Sequence, residues 1–275
     1  MIPYLQIPSL PPHSSIAIHP FGVLVATGIL AGAWLTRRRG AKLGLQDELV
    51  RSMIFWSVLT GFVVAHAVDV FIYQRGDWER KLWALLDPRS GLSSMGGFAG
   101  AVLGLYLWCR RHKQEVMAYA DSLAFGLALG WMFGRLGCFV AHDHPGRLTD
   151  FFLGVDYPCP RPPCAPLADW IYWGARFRRH DLGLYEALIA AAVAVFYLVM
   201  ERFRPRKGFF VASIALLYGP VRFVLDYLRA TDIDGADPRW WPGWTPAQYA
   251  AILVTLVGVA LTVRVLRRPA IFPRA

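Results

Sequence analysis

The sequence predicts an all-α, polytopic integral membrane protein of about seven transmembrane helices with a small head region on the outer face. Composition is the first sign. The 275 residues are 56% hydrophobic and 17% charged, with a mean hydropathy of +0.38, which is more apolar and less charged than a soluble chain of this length. Charge spacing is the second. Arg37-Arg38-Arg39 with Lys42, Arg110-Arg111 with Lys113, Arg202-Arg204-Arg206-Lys207 and Arg264-Arg267-Arg268 alternate with long apolar runs. Each gap holds enough chain to cross a hydrocarbon layer about 30 Å thick and return, at roughly 20 residues per crossing. The placement of those clusters at helix ends is the third. It assigns the net charge of +10 to chain orientation and contact with anionic lipid. Nucleic-acid binding is excluded, since no basic recognition helix or aromatic RNA motif occurs.

The expected spans run over residues 16–35, 52–73, 93–109, 119–139, 183–200, 208–228 and 246–265. No signal-peptide cleavage pattern is evident, and the run from Ile16 to Leu35 is long enough to remain as a helix. The first loop, Arg37 to Lys42, is basic, so the N-terminus is expected outside. Seven crossings then put the C-terminus in the cytoplasm. Asp77 to Leu86 reads as a short amphipathic helix at the interface, anchored by Trp78 and Trp83. The third span is short and glycine-rich, and Gly126, Gly130, Gly134 and Gly137 recur at helical spacing through the fourth. Small residues let helices approach closely in lipid. At a helix start, Gly96-Gly97 can also leave backbone amides facing an anion. Residues 142–181 form the outer head of a single domain covering 1–275. Phe151-Phe152, Trp170, Tyr172, Trp173 and Phe177 suit a membrane interface there, whether the head is simply packed or part of a site. Cys159 and Cys164, in Cys-Pro-Arg-Pro-Pro-Cys, are disulfide candidates on an oxidising side. Two cysteines are too few for a zinc centre.

Ionisable groups inside spans are costly and mark function by default. Arg135, Arg222, Asp69, Asp121, Glu186 and Asp226 remain within spans, with His19 and His66. Arg135, Asp143, Glu186, Arg222 and Asp226 fall near the outer ends of spans four, five and six. Two guanidinium groups among carboxylates at one depth suit a phosphate, because each offers a planar donor fork and a permanent charge. The competing reading is structural, with Arg222 and Asp226, four apart on one helix, pairing with each other or with Glu186. Asp69 and Asp121 suggest a proton path or, equally, pairs with polar neighbours.

Several segments, in order along the chain, resemble one family. Gly134-Arg135-Leu136-Gly137-Cys138-Phe139 resembles the Gly-Arg-x-Gly-Asn-Phe signature of prolipoprotein diacylglyceryl transferase, and Leu184-Tyr185-Glu186-Ala187 its Leu-Tyr-Glu-Ala segment. Tyr218-Gly219-Pro220-Val221-Arg222-Phe223, followed by Asp226, Arg229 and Asp232, is similar to its Tyr-Gly-x-x-Arg-Phe block. Gly91-Leu92-Ser93 before Gly96-Gly97 resembles its Gly-Leu-Ser-x-His-Gly-Gly. His19-Pro20-Phe21-Gly22 stands where that family enters its first span. The resemblance implies transfer of a diacylglyceryl group from phosphatidylglycerol to the lipobox cysteine thiol in a prolipoprotein signal peptide. Glycerol 1-phosphate is released, and the setting is a bacterial inner membrane. It implies that Arg135 and Arg222 hold the headgroup phosphate with Arg229 assisting, and that Glu186 and Asp226 orient those arginines. Tyr218, Gly96 and Gly97 complete the binding region.

The departures concern the proton acceptor. A thiol must become a thiolate to attack, yet Met95 stands at the position of the family histidine, Cys138 at the signature asparagine, Ala141 and Asp143 at a later asparagine and glutamate, and His66 at an arginine. His142 and His144, flanking Asp143 in Ala-His-Asp-His-Pro-Gly, are therefore candidate acceptors. They can instead belong to a surface turn ended by Pro145. A metal reading of the two histidines with Asp143 lacks a third neutral ligand, so neither metal nor cofactor is expected. Two alternatives stand beside the transferase: a relative acting on another acceptor, and a non-catalytic protein that binds or transports anionic lipid.

Overall fold

Antiparallel pairing of long helices organises the computed structural model, which describes residues 2–5, 7–10, 18–74, 76–87, 91–158, 177–233 and 237–267. The helices are α1 (Pro20–Lys42), α2 (Asp47–Val68, continued by a π-turn over Asp69–Tyr73), α3 (Trp78–Leu86), α4 (Ser94–His112), α5 (Val116–Ala141), α6 (Leu182–Glu201), α7 (Phe209–Leu225, continued by a 3₁₀ turn to Leu228) and α8 (Pro246–Leu266). Six are long and apolar enough to cross a membrane: all but α3 and α4. The expected third span is α4, whose 19 residues lie antiparallel along α2, with Gly96, Gly100 and Gly104 set against Ala65, Gly61 and Ser57. A helix laid along a spanning helix shares its depth. Large apolar side chains such as Leu30, Phe55, Val102, Val195, Val224 and Leu253 point outward from the bundle, as a lipid-facing surface requires.

The basic clusters gather at one end. Lys42 meets Glu201 at 2.8 Å and Lys207 meets Glu115 at 3.1 Å. An Arg206 guanidinium N–H donates to the carbonyl of Leu266. Just inside that end, fully buried Asp121 accepts from Arg39 and from the Phe210 amide at 3.2 and 2.8 Å. Asp121 thus ties three helices together, which answers the proton-path reading with a structural pair. Asp69 accepts from Gln74 at 2.8 Å beside the π-turn. The ring nitrogens of His66 face the carbonyls of Leu85, in α3, and Gly91, ahead of α4.

Close helix approach is clearest between α1 and α5. An added Cβ at Gly126 would overlap the Gly32 carbonyl oxygen and Thr36 Oγ1, and one at Gly28 would lie 2.7 Å from the Gly130 carbonyl oxygen. The seam therefore needs small residues on both faces. Phe125, Tyr197 and Phe210 pack together toward the basic end of the bundle, with ring centroids 4.7 to 6.3 Å apart.

The opposite end carries the head, where a small sheet is added to the expected helical bundle. Strands β1 (Ile2–Pro3), β2 (Pro145–Leu148), β3 (Val155–Tyr157) and β4 (Phe177–Asp181) form one sheet in the order β1-β3-β4-β2. β1 runs parallel to β3, and the other pairs are antiparallel. Two to five residues are too few to show a period-two pattern, and β1 joins from a distant part of the chain. Arg179 grips Asp232 through two bonds of 2.9 and 2.6 Å. That guanidinium holds the Asp232 carboxyl below the usual carboxylate range, so the clasp persists above about pH 4 and is lost only as pH falls through the lowered value. α3 is present as expected, with Trp78 and Trp83 exposed. Cys159, Cys164, Trp170, Tyr172 and Trp173 lie outside the described residues.

Overpacking a close seam costs about 1–3 kcal/mol. Gly126→Leu is therefore expected to lower the thermal midpoint of the detergent-solubilised protein by several degrees or to prevent folding. Gly134→Ala, where an added Cβ meets nothing within 4 Å, is expected to leave the midpoint unchanged.

Candidate functional site

Three helix ends bring a line of alternating charge together below the head. Arg135 comes from the last turns of α5, Glu186 from the first turns of α6, and Arg222 and Asp226 from the end of α7. Arg135 Nε lies 2.9 Å from one Glu186 oxygen, and Arg222 donates to the other at 2.9 Å. Arg222 reaches Asp226 at 3.0 Å. Arg229 continues outward, 3.9 Å from Asp226 and 3.0 Å from Asp237. Thr245, which caps α8 in a reciprocal box with Gln248, also bonds Asp226. Arg135, Glu186, Arg222 and Asp226 are each no more than 3% exposed. A lone charge at such depth is costly, and alternation of sign is what makes the row tolerable.

A cavity of about 400 Å³ reaches this row from one side. Its long wall is apolar and made of small and aliphatic side chains, among them Val25, Ile29, Ile54, Val58, Leu123 and Leu127. At the head end it becomes polar, with Ser93, Ser94, Arg135, Cys138, Asp143 and His144. The fork of Arg135 turns there, donating to Ser94 Oγ at 3.3 Å and lying 3.5 Å from His144 Nε2.

The two arginines are thus not equivalent. Arg135 borders the cavity. Arg222 stands one layer behind it, held by two carboxylates, and its Nε has no hydrogen-bond partner among the described residues. Arg229 is half-buried nearer the surface. Of the two arginines expected to hold the headgroup phosphate, Arg135 alone lines this cavity. The pairing of Arg222 with Asp226 and Glu186 is present, and a cavity reaches the row at Arg135.

The histidines also separate. His142 caps α5 in a left-handed conformation, φ 51°. Its Nδ1 bonds Asp181 at 3.0 Å, its Nε2 faces the Leu5 carbonyl at 3.2 Å, and its ring stacks on Tyr4 at 3.9 Å. With both nitrogens engaged and only 8% of its surface exposed, it fastens the chain start to the head and is not presented to the cavity. Fully buried Asp181 accepts in addition from Tyr157 at 2.8 Å and from the Leu184 amide at 3.0 Å. Burial, and then the Asp181 carboxylate, push the Tyr157 phenol well above its usual value, so it stays a donor. His144 does face the cavity, with Nδ1 bonded to Asp143.

Gly96 and Gly97 are corrected as amide donors. The Gly96 N–H bonds Ser93 Oγ at 3.3 Å and the Gly97 N–H bonds the Ser93 carbonyl at 2.9 Å, so neither amide is left for an anion. Gly96 packs on α2, while Gly97 opens onto the cavity. Tyr218 is a core residue with its hydroxyl 3.8 Å from Met95 Sδ and its ring edge-on to Trp131. Two contributors were missed. Ser94 sits beside Met95 at a helix start, where a hydroxyl ordinarily reads as a cap. Cys138 lies within 4.8 Å of ligand atoms of Asp143 and His144, a proximity that depends on the turn after α5.

The family model for prolipoprotein diacylglyceryl transferase matches residues 10–264. The chain belongs to the prolipoprotein diacylglyceryl transferase family. Among curated relatives of that family, the phosphatidylglycerol–prolipoprotein diacylglyceryl transferase of Chromohalobacter salexigens is 29% identical over 258 residues, covering 92% of this chain and 90% of the relative. The protein of the same name from Stenotrophomonas maltophilia is 29% identical, covering 94% and 92%. That of Treponema denticola is 26% identical, covering 74% and 69%. As a diacylglyceryl transferase family member, the chain brings the three segments of its transferase signature, around Arg135, Glu186 and Arg222, into one charged row.

Removing the shared carboxylate leaves two buried guanidinium groups facing each other. Glu186→Ala is expected to cost about 3–5 kcal/mol, read as a lowered midpoint in thermal unfolding. His142→Ala is expected to lower that midpoint as well, while His144→Ala leaves it within a degree or two.

Proposed function

We propose that this protein transfers the diacylglyceryl group of phosphatidylglycerol to a prolipoprotein cysteine thiol within the lipobox, releasing glycerol 1-phosphate. The observation that carries the reading is the cavity: a long apolar wall ending at one buried guanidinium, which matches a lipid tail ending in an anionic head. Its volume lies within the usual range for ligand sites. Membership of the family and the names of its relatives agree with this reading.

The chemistry follows from the row. The sulfur–carbon bond forms as the carbon–oxygen bond to phosphate breaks, and the electron pair leaves on the phosphate oxygen. Negative charge grows there, so a fixed donor fork helps most at that point. Arg135 supplies it with Ser94. Glu186 holds Arg135 through Nε, leaving the fork free to face the cavity. Arg222, itself fixed by Asp226, holds the other Glu186 oxygen at 2.9 Å and acts as a positioning residue. Met95 cannot accept the thiol proton, and the Asp143–His144 pair is the nearest group at the cavity mouth that can receive it. The head faces outward in this reading, by the excess of Lys and Arg at the other end. The chain acts as one membrane-embedded domain over 1–275, with 142–181 inserted on the outer side of a bacterial inner membrane. The acceptor is then the signal peptide of the prolipoprotein.

The test is incubation of the purified protein with labelled phosphatidylglycerol and a lipobox peptide, read by mass spectrometry of the peptide. The wild type is expected to add one diacylglyceryl group. Arg135→Ala is expected to lower the rate by about 10²–10³-fold, as for loss of a donor to developing charge, with unchanged fold. Lipid binding without product in any thiol, amine or alcohol acceptor would support the non-catalytic alternative.

A further inference from the structure

Among the described residues, Cys138, Asp143 and His144 form a group that the transferase reading uses only in part. Cys138 lies one turn beyond Arg135 near the end of α5, and Asp143 and His144 follow the helix. Their ligand atoms, a thiol sulfur, a carboxylate oxygen and an imidazole nitrogen, all lie within 4.8 Å of one another. All three residues border the cavity. We propose that Cys138, Asp143 and His144 form a zinc-class metal site whose fourth position opens into the cavity.

Three features of the fold support this. The turn that brings residues 143 and 144 back toward Cys138 is fixed from outside. His142, between the helix and these two residues, is clamped by Asp181, Leu5 and Tyr4 in its left-handed conformation. The donor set is itself selective, since a thiolate and an imidazole favour zinc over magnesium or calcium, which prefer oxygen. Geometry is close to what such an ion needs. Ligand atoms on a tetrahedral zinc ion are about 3.5 Å apart, against the 4.8 Å within which these three lie.

Charge also balances. A thiolate and a carboxylate neutralise a divalent ion. With water in the fourth position the site therefore adds no net charge beside Arg135, which Glu186 already pairs at 2.9 Å. With a hydroxide or thiolate there it carries one negative charge. Three protein ligands with an open fourth position are the arrangement of a catalytic rather than a structural zinc site.

Its role rests on the transferase reading and revises which group receives the proton. A hydroxide held at the fourth position takes the proton of the incoming thiol and leaves as water, and the substrate sulfur takes its place on the ion as a thiolate. His144 is then a ligand, not the acceptor. Atoms and charge balance without a redox partner. The site offers this chain a means of making the nucleophile that does not depend on a side-chain base at Met95.

The test uses the full chain purified in detergent without chelator. Elemental analysis is expected to find about one zinc ion per chain. Cobalt exchange is expected to give a thiolate-to-cobalt absorption band in the near ultraviolet. Cys138→Ser should abolish that band and weaken metal binding at least about tenfold. Cys109→Ser, at the other end of the bundle, and the double change Cys159→Ser/Cys164→Ser should both retain it. Protein that takes up no cobalt, or a band that survives in Cys138→Ser, would overturn the site. Full transfer rates in protein stripped of metal would overturn its role. A wild type that holds the ion yet adds no lipid to the peptide would refute the transferase reading and leave the site standing.

Discussion

The carboxylate of Glu186 is the constraint on which the rest of the structure depends. It is the bridge between Arg135 and Arg222, 2.9 Å from each, at a depth where water cannot screen either charge. Without it, α5 and α7 would present two like charges to one another in a low-dielectric interior. With it, three helices are drawn to one point and the orientation of each guanidinium is set. Glu186 uses one oxygen on each arginine, so neither is fully saturated. That leaves Arg135 with two nitrogens directed at Ser94 and the cavity, and it leaves Arg222 to be held by Asp226. The row then runs through Arg229 and Asp237 toward the surface, so the buried charges are linked step by step to groups that water can reach.

Much of this was legible in the chain. Apolar runs and basic clusters place the long helices, because the thickness of a bilayer leaves little freedom. Yet α1 runs on through Arg37 to Lys42, which the charge pattern assigned to a loop. Among the described residues, six helices rather than seven are long and apolar enough to cross. The depth of Arg135, Glu186, Arg222 and Asp226 could also be read, since each falls a few residues from the end of a run. What could not be read was which of them meets the cavity. Arg135 and Arg222 look alike in sequence, and only the placement of α1, α2 and α4 against α5 decides that one faces a space and the other a pair of carboxylates. The same limit applied to His142 and His144. They are two residues apart in one motif, yet the left-handed turn at His142 sends one ring into the head and the other to the cavity.

The head was the least legible part. Its strands are too short for a hydrophobic alternation, and one of them, Ile2–Pro3, joins from across the chain. Its role is nonetheless specific. By holding His142 through Asp181 and Leu5, the head determines where Asp143 and His144 stand at the cavity mouth. A region that shares no helix with the charged row therefore sets half of the chemistry beside it.

Helix α5 carries two duties at a fixed angular relation. One side, through Gly126 and Gly130, lies against α1, and the turns that follow carry Arg135 and Cys138 into the cavity. Each residue of an α-helix advances the azimuth by about 100°. One inserted or deleted residue between Gly130 and Arg135 would swing the guanidinium away from Glu186, while the seam at Gly126 and Gly130 stayed in place. The segment from Gly126 to Cys138 therefore has a locked phase, and changes in chain length can be absorbed only in the connections outside it.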